Sequence, residues 1–487
     1  MSWDKIRDDE MRISIWWIRR DLRLTDNIAL TAAVKSGDHV LPVFILDPAL
    51  LNSSYVGNKR VVFLLEGLRH LKADLEARGG HLILREGQPL KELKILIEES
   101  GAEGIYAEED FSPYAKQRDN QIAEELPLHL LSGLTVYHPS AVVKVDGSPY
   151  KIYTPFQHAW KSLPFSRRNS LLPIPERIST PPGIESVPFP DPPTLAIKTM
   201  FSPGESQASL HLNAFVEGDD PPIYRYAVQR DRIDTLGTSQ LSPYLRFGML
   251  SAQQAVNAAY TAIDAAPDQD ASESAQTWLH ELIWREFYIH ILDHYPHVRT
   301  QSFRPSLRAI PWENNDRDFT AWCEGQTGFP IVDASMRQLL QTGWMHNRGR
   351  MIVASFLVKD LLIDWRWGER WFMQHLVDGD PASNNGGWQW SAGTGTDAAP
   401  YFRIFNPILQ SKKFDPHGKF IRNWVPELQS VTGKFIHEPW KMSSEMQKKT
   451  GCVLGVDYPA PIVDHAIARK QALEAYAFAK EKSGSRK

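Results

Sequence analysis

Within Asn384-Asn385-Gly386-Gly387-Trp388-Gln389-Trp390, two amides, two glycines and two indoles fall inside seven residues, shortly after Asp378-Gly379-Asp380. Amides donate and accept hydrogen bonds without carrying charge. Glycines let a flat ligand approach the backbone. Indoles supply broad stacking surfaces with one polar N–H each. A lone Gly-Gly beside a helix reads as a turn. This string continues through Ser391-Ala392-Gly393-Thr394-Gly395-Thr396-Asp397 towards Arg403-Ile404-Phe405-Asn406-Pro407, and reads as the wall of a binding site. On a helix, Trp388 and Trp390 stand about 200° apart. One indole can then face a bound ring while the other faces a different cavity.

Other stretches carry possible partners. Glu281 and Trp284 are three residues apart in a helical pattern and share a face. A carboxylate beside an indole on an inward face is costly unless it meets a polar ligand; as a lone pair it would be a surface contact. Asn347 and Met351 are one turn apart, and Arg348 and Arg350 point in different directions. An inward Arg350 needs an anion, which Asp378 or Asp380 would supply. His346 has no second histidine at metal-ligand spacing and reads as structural. Thr238-Ser239-Gln240-Leu241-Ser242 precedes a helical region, as either a phosphate cradle or an ordinary N-cap. Lys412, Lys413, Lys419 and Arg422 interleave with Phe414, Phe420 and Trp424, a mixture suited to a nucleic-acid backbone with stacking, or to plain solvated surface.

Two kinds of scaffold must position these residues. Apolar runs at 13–18, 39–47, 81–84, 104–106 and 134–137 alternate with helical patterns, one of them striped by Leu64, Leu68, Leu71 and Leu75. Such alternation predicts a five-stranded, Rossmann-like parallel sheet. The turn after the first strand has no glycine, so the dinucleotide fingerprint is missing. Arg19, Arg20 and Arg23 there either bind an anion or pair with Asp21 and Asp26. Prolines from Pro181 to Pro203 interrupt regular structure. Beyond Tyr224 the patterns are helical: 251–265, 272–295, 331–340, 347–365 and 460–480. The expected organisation is an N-terminal extension (1–11), an α/β domain (12–139), a linker over the surface (140–215), an all-α domain (216–480) and a tail (481–487).

At 487 residues the chain is too long for one compact core. Its formal net charge of −4 argues against a generally basic nucleic-acid binder but leaves room for a local patch. Cys323 and Cys452 are the only cysteines, too few for a disulfide framework or a four-thiolate zinc site, and they point to a reducing cytoplasm. No apolar run reaches the ~18 residues of a membrane span.

Taken together, Trp16-Trp17-Ile18-Arg19-Arg20-Asp21-Leu22-Arg23-Leu24, Trp344-Met345-His346-Asn347-Arg348 and the stretch from Asn384 to Pro407 resemble the photolyase/cryptochrome family, most closely class I cyclobutane pyrimidine dimer photolyases. The resemblance covers the chain to about Lys470. It implies an α/β antenna domain and a helical FAD-binding domain. It assigns Tyr226, Thr238, Ser239, Leu241 and Ser242 to the FAD phosphates, Asn384 to flavin N5, the pair Arg350–Asp378 to the isoalloxazine and Asp380 to its neighbourhood. Glu281, Trp284, Asn347, Arg348, Met351 and Trp390 would form the dimer pocket. Trp388, Trp365 and Trp312 would photoreduce the flavin. The implied chemistry is light-driven: excited FADH− donates an electron to a flipped-out dimer, the cyclobutane ring splits and the electron returns.

An antenna chromophore is implied as well. Folate-binding relatives carry Asn-Glu where this chain has Tyr114-Ala115, while Arg60, Asp110 and Arg246 are similar to deazaflavin-binding relatives. The expectation is 8-hydroxy-5-deazaflavin, with methenyltetrahydrofolate or a second flavin as alternatives. The partner would be UV-damaged DNA, double- or single-stranded, bound by a cytoplasmic monomer with no membrane contact and no metal. The rival is a cryptochrome-type blue-light receptor. Against a (6-4) photolyase stands the lone His346 followed by Asn347.

Overall fold

The computed structural model describes residues 11–165, 171–197, 199–400 and 402–484. The expected extension (but for Met11), the last three residues of the tail and Tyr401 lie outside them.

Five strands form one parallel sheet: β1 (Ile13–Ile18), β2 (His39–Leu46), β3 (Ile83–Glu86), β4 (Gly104–Glu108) and β5 (Leu128–Leu131), in the order β3-β2-β1-β4-β5. β1 is central and buried on both faces. Ile15 and Trp17 join Leu41, Val43, Leu93, Leu96 and Ile122 on one side. Trp16 and Ile18 join Leu68, Leu71 and Leu75 of the Asn58–Glu76 helix on the other. That second core runs without interruption into Phe247, Met249, Phe287 and Ile291 of the helical half. The two halves therefore share one hydrophobic core.

The fifth strand is not at 134–137. Leu128–Leu131 is a half-exposed edge strand, and its leucines and histidine carry less strand preference than Thr135, Val136 and Tyr137. The apolar residues further on serve the contact between halves: the Val136 N–H donates to Glu286 Oε1 at 2.5 Å, and Tyr137 lies edge-on to Trp160. The stretch read as a surface linker also holds two helices, Tyr153–Ser162 and Glu205–Val216. Tyr153, Phe156 and Trp160 of the first are buried in the shared core.

Among the long helices, Ala252–Asp264 has a full capping box from Ser251 and Gln254. Gln269–His294 and Pro330–Thr342 match the apolar periodicity. The run expected as one helix over 347–365 is two. Asn347–Ser355 passes into a π-helical turn, Phe356–Asp360, and the chain reverses through Leu362 at φ 50°. Asp364 then caps Trp365–His375 by accepting from the Arg366 N–H at 3.0 Å. The last helix begins at His465, where Asp464 accepts from Ala466 and Ile467, and takes in 481–484 of the expected tail.

The glycine-free turn after β1 is a clamp between the halves. Arg19 pairs with Asp119 at 2.5 Å and Arg23 with Glu108 at 2.6 Å. Asp21 takes the Trp16 indole N–H at 3.0 Å. The Leu22 N–H donates to the Phe247 carbonyl at 3.1 Å, and Arg23 Nη1 to the Gly248 carbonyl at 3.1 Å. The arginines thus pair internally, but with acids distant in sequence rather than with Asp21 and Asp26. Gly248 sits at φ 63°, and a Cβ there would lie 1.8 Å from the Arg20 carbonyl oxygen. No side chain fits without separating the clamp. Gly248→Ala should lower stability by ~1–3 kcal/mol, read as an earlier denaturant midpoint; an unchanged midpoint would show that the clamp yields freely.

Candidate functional site

The Pro381–Ala392 helix carries the amide and indole stretch. Asp380 caps it, accepting from the Ala382 and Ser383 N–H groups at 2.9 Å each. The same carboxylate lies 2.7 Å from Arg20 Nη2 and 4.0 Å from Arg246 Nε. Burial alone would raise the Asp380 pKa. Arg20 and Arg246, with the helix N–H groups, outweigh it and hold the pKa down at about 2. Asp380 was expected beside a flavin ring; its carboxylate is occupied by the cap and the clamp arginines.

Trp388 is 2% exposed, packed edge-on against Phe372 (5.0 Å) and Trp322 (6.0 Å). Its indole N–H is buried without a hydrogen-bond partner among the described residues. A Cβ on Gly368 would lie 2.1 Å from this indole, so only glycine allows the Trp365–His375 helix to pack so closely. Trp390, two residues on, is only partly buried. The helix sends the two indoles in different directions, as the spacing requires. Trp365 is buried in the core that holds Trp388, and Trp312 packs on that core's edge and edge-on to Tyr476. Asn384 donates to the Glu369 carbonyl oxygen (3.0 Å) and to its carboxylate (3.2 Å), which Arg299 also meets at 2.9 Å.

Arg350 Nη2 lies 2.8 Å from Asp378 Oδ2, while Arg350 Nε donates to the Met345 carbonyl. Asp378 is thus the anion that the sequence demanded. Its Oδ1 is buried without a partner among the described residues, as is Thr238 Oγ1. No side chain caps the Ser242–Phe247 helix behind Thr238, and Gln240 holds φ 53°. Buried polar atoms without partners are costly, so these suit a polar ligand. Ser239 is partly buried, Leu241 buried and Ser242 exposed, while Tyr226 is buried beneath the Arg230 guanidinium, 5.6 Å away.

Glu281 pairs with Arg230 at 2.7 Å. Burial raises its pKa, with Arg230 pulling the other way. Trp284 lies flat on Tyr153 at 3.7 Å. Asn347 is exposed, its amide 3.7 Å from Met351 Sδ. Arg348 pairs with Asp231 at 2.7 Å and stacks over Phe414 at 4.3 Å. His346 caps its helix by accepting from the Arg348 N–H, and burial holds its pKa at about 4, consistent with a structural role. Arg230, Asp231, Glu369, Arg299 and Tyr153 escaped the sequence reading, because their partners lie far along the chain. In the basic cluster, Phe414 and Phe420 are core residues and Lys412 is paired with Glu438, so this is not an interleaved stacking surface.

Arg60, Asp110 and Arg246 line one cavity of about 640 Å³ between the halves, with Tyr55, Tyr114 and Arg118. Arg60 and Arg246 both donate to the Gly379 carbonyl, at 2.9 Å each. Tyr114 donates to Asp47. Asp110 accepts from Arg20 at 3.1 Å, which holds its pKa far below the carboxylate range although burial opposes this.

The DNA photolyase family model matches residues 14–177, and the model for the FAD binding domain of DNA photolyase matches 278–478. A deoxyribodipyrimidine photo-lyase of Agrobacterium fabrum is 40% identical, covering 96% of this chain and 98% of its own. This chain belongs to the DNA photolyase family. A class III photolyase structure from Agrobacterium tumefaciens has TM-score 0.87 and 38% identity, covering 97% of this chain and 98% of its own. A Synechocystis cryptochrome has TM-score 0.88 and 30% identity (95% and 99%). An archaeal photolyase from Sulfolobus tokodaii, solved with two FAD molecules, has TM-score 0.79 and 32% identity (96% and 99%). The helical half of this photolyase-family chain is therefore an FAD-binding domain, and the unpartnered Thr238 and Asp378 oxygens fit such a cofactor. Among the described residues, no helix is long and apolar enough to cross a membrane and no metal-binding cluster occurs.

The cap can be tested apart from the cofactor. With the folded pKa of Asp380 depressed, its contribution is present above pH ~4 and lost as pH falls towards 2. Asp380→Asn keeps a capping side chain but removes the charge. It should lower stability at pH 7 by about 2 kcal/mol and flatten the decline between pH 4 and 2. Parallel acid limbs in both proteins would contradict this.

Proposed function

We propose that this enzyme repairs cyclobutane pyrimidine dimers in DNA by light-driven electron transfer. The observation that carries the reading is the division of labour along one helix: Trp388 is sealed in an aromatic core, and Trp390 faces out of it. Bound FAD, in its reduced form FADH−, supplies the electron that opens the dimer. Tyr226, Thr238, Ser239, Leu241 and Ser242 hold its phosphates. Arg350–Asp378 sets the charge beside the ring, and Asn384, oriented by Glu369, offers an uncharged hydrogen-bonding group to it. Asp380 acts by fixing the helix through its cap.

Glu281, Trp284, Asn347, Arg348, Met351 and Trp390 receive the extruded dimer. The carboxyl of Glu281, anchored by Arg230, hydrogen-bonds a base edge. Trp284 and Trp390 supply apolar surfaces that replace base stacking. Trp388, Trp365 and Trp312 relay electrons from solvent to the resting flavin. The inter-half cavity takes a light-harvesting chromophore held by Arg60, Asp110 and Arg246. We assign it to 8-hydroxy-5-deazaflavin, and absorption spectra of the extracted chromophores distinguish this from a folate or a second flavin. The partner is damaged DNA, bound by a monomer in the cytoplasm.

Illumination of dimer-containing DNA with the purified flavoprotein should restore the pyrimidines. Flavin photochemistry without repair would instead favour a cryptochrome-type receptor. Glu281→Ala should weaken binding of dimer-containing DNA by about 1–3 kcal/mol. Trp388→Phe should abolish photoreduction of oxidised FAD yet spare repair by chemically pre-reduced enzyme. Trp390→Ala should do the reverse, photoreducing normally and losing ~1–3 kcal/mol of lesion binding. Loss of the same activity in both variants would refute separate roles.

A further inference from the structure

Tyr153 belongs to a stretch that the sequence marks only as a connector, yet it bears on the pocket from two sides. Its ring lies on Trp284 with centroids 3.7 Å apart and planes 7° from parallel. Its phenol O–H donates to the His280 carbonyl at 2.8 Å, one turn before Trp284 in the same helix. The ring is thus anchored to the very helix whose indole it covers. Its backbone N–H donates to Asp397 Oδ2 at 3.0 Å. The Tyr153–Ser162 helix has Ile152 at its N-cap, with no capping side chain of its own. Asp397, held at φ 41°, supplies that cap from the loop that follows Trp390. Phe287 and Tyr288 close further edges of Trp284, with centroids at 5.6 and 5.5 Å. Trp284 nevertheless stays partly exposed, while Tyr153 is 7% exposed.

We infer that Tyr153 is a positioning residue of the lesion pocket: it occupies one face of Trp284, fixes the indole's rotamer and leaves the opposite face for the dimer. The inference rests on Trp284 being a wall of that pocket. A flat aromatic can hold a stacking partner only if its own orientation is fixed beforehand; otherwise the ordering cost falls on binding. Tyr153 removes that cost by lying face to face on the indole, and its two hydrogen bonds prevent the stack from sliding. Through Asp397 the same residue joins the Trp284 helix to the loop beyond Trp390, which sets the two indoles of the pocket in one register.

The test is a double-mutant cycle on FAD-loaded protein, using a duplex with one thymine dimer and its undamaged counterpart. Tyr153→Leu should weaken dimer binding about tenfold without changing flavin content or affinity for undamaged DNA. Tyr153→Phe, which keeps the stack, should recover most of it. In a Trp284→Ala background, Tyr153→Leu should have no further effect on dimer affinity. A full additional loss in that background would assign Tyr153 a merely structural role and overturn the inference. So would a Trp284→Ala protein that binds dimers weakly beside a Tyr153→Leu protein that binds them normally. If Trp284→Ala itself binds dimers as the parent does, the pocket reading fails and takes the inference with it. Should Tyr153→Leu not fold, the cycle is run with Tyr153→Phe, where a two- to threefold loss that vanishes with Trp284→Ala is expected and an additive loss overturns the inference.

Discussion

The Arg20 guanidinium lies between two largely buried carboxylates, Asp110 of the sheet half and Asp380 of the helical half. A buried charge is tolerated only when paired and hydrogen-bonded, so neither half can place its charges without the other. Asp380 also caps the helix that bears Asn384, Trp388 and Trp390. The contact that joins the halves therefore fixes the axial position of the helix richest in chemistry. The close approach of Gly248 to Arg20, with the clamp residues Leu22 and Arg23, gives this ion network an unyielding frame.

Around that helix the same rule repeats. Arg350 meets Asp378, Glu281 meets Arg230, Arg348 meets Asp231, and Glu369 sits between Arg299 and Asn384. In Arg350–Asp378 and Arg299–Glu369 the cation offsets the desolvation of a buried carboxylate, whereas Arg230–Glu281 and Arg348–Asp231 stay partly open to solvent. Among the described residues, several polar atoms are nonetheless left without protein partners, Thr238 Oγ1, Asp378 Oδ1 and the Trp388 indole N–H among them. The Thr238 and Asp378 oxygens suit a ligand that brings its own donors.

Much of this was legible in the residues. The alternation of strand and helix specified the sheet, because a buried parallel strand must be apolar on both faces. The glycine-free turn after β1 excluded a dinucleotide fingerprint there. The two-residue spacing of Trp388 and Trp390 already required different surroundings for the two indoles. Arg350 demanded an anion nearby, and Asp378 provides it. The edge strand was misplaced because Leu128–Leu131 buries little, whereas Leu134–Tyr137, richer in strand-favouring Thr, Val and Tyr, serves a contact with the other half. The break before Trp365 was missed because a buried π-helical turn keeps the apolar pattern of a continuous helix.

By itself, then, the sequence determined what local periodicity and residue chemistry control: the two kinds of scaffold, the helix faces and the groups able to meet a flat, polar ligand. Tertiary structure decided which charge meets which. It paired Arg20 with acids 90 and 360 residues away, gave Glu281 its anchor in Arg230, and brought Tyr153 of the connector onto Trp284. Side-chain periodicity reports the direction in which a residue points, but not what waits there. Partners separated by hundreds of residues are chosen only when the chain folds back and the cost of burying each charge or ring is settled against a particular neighbour.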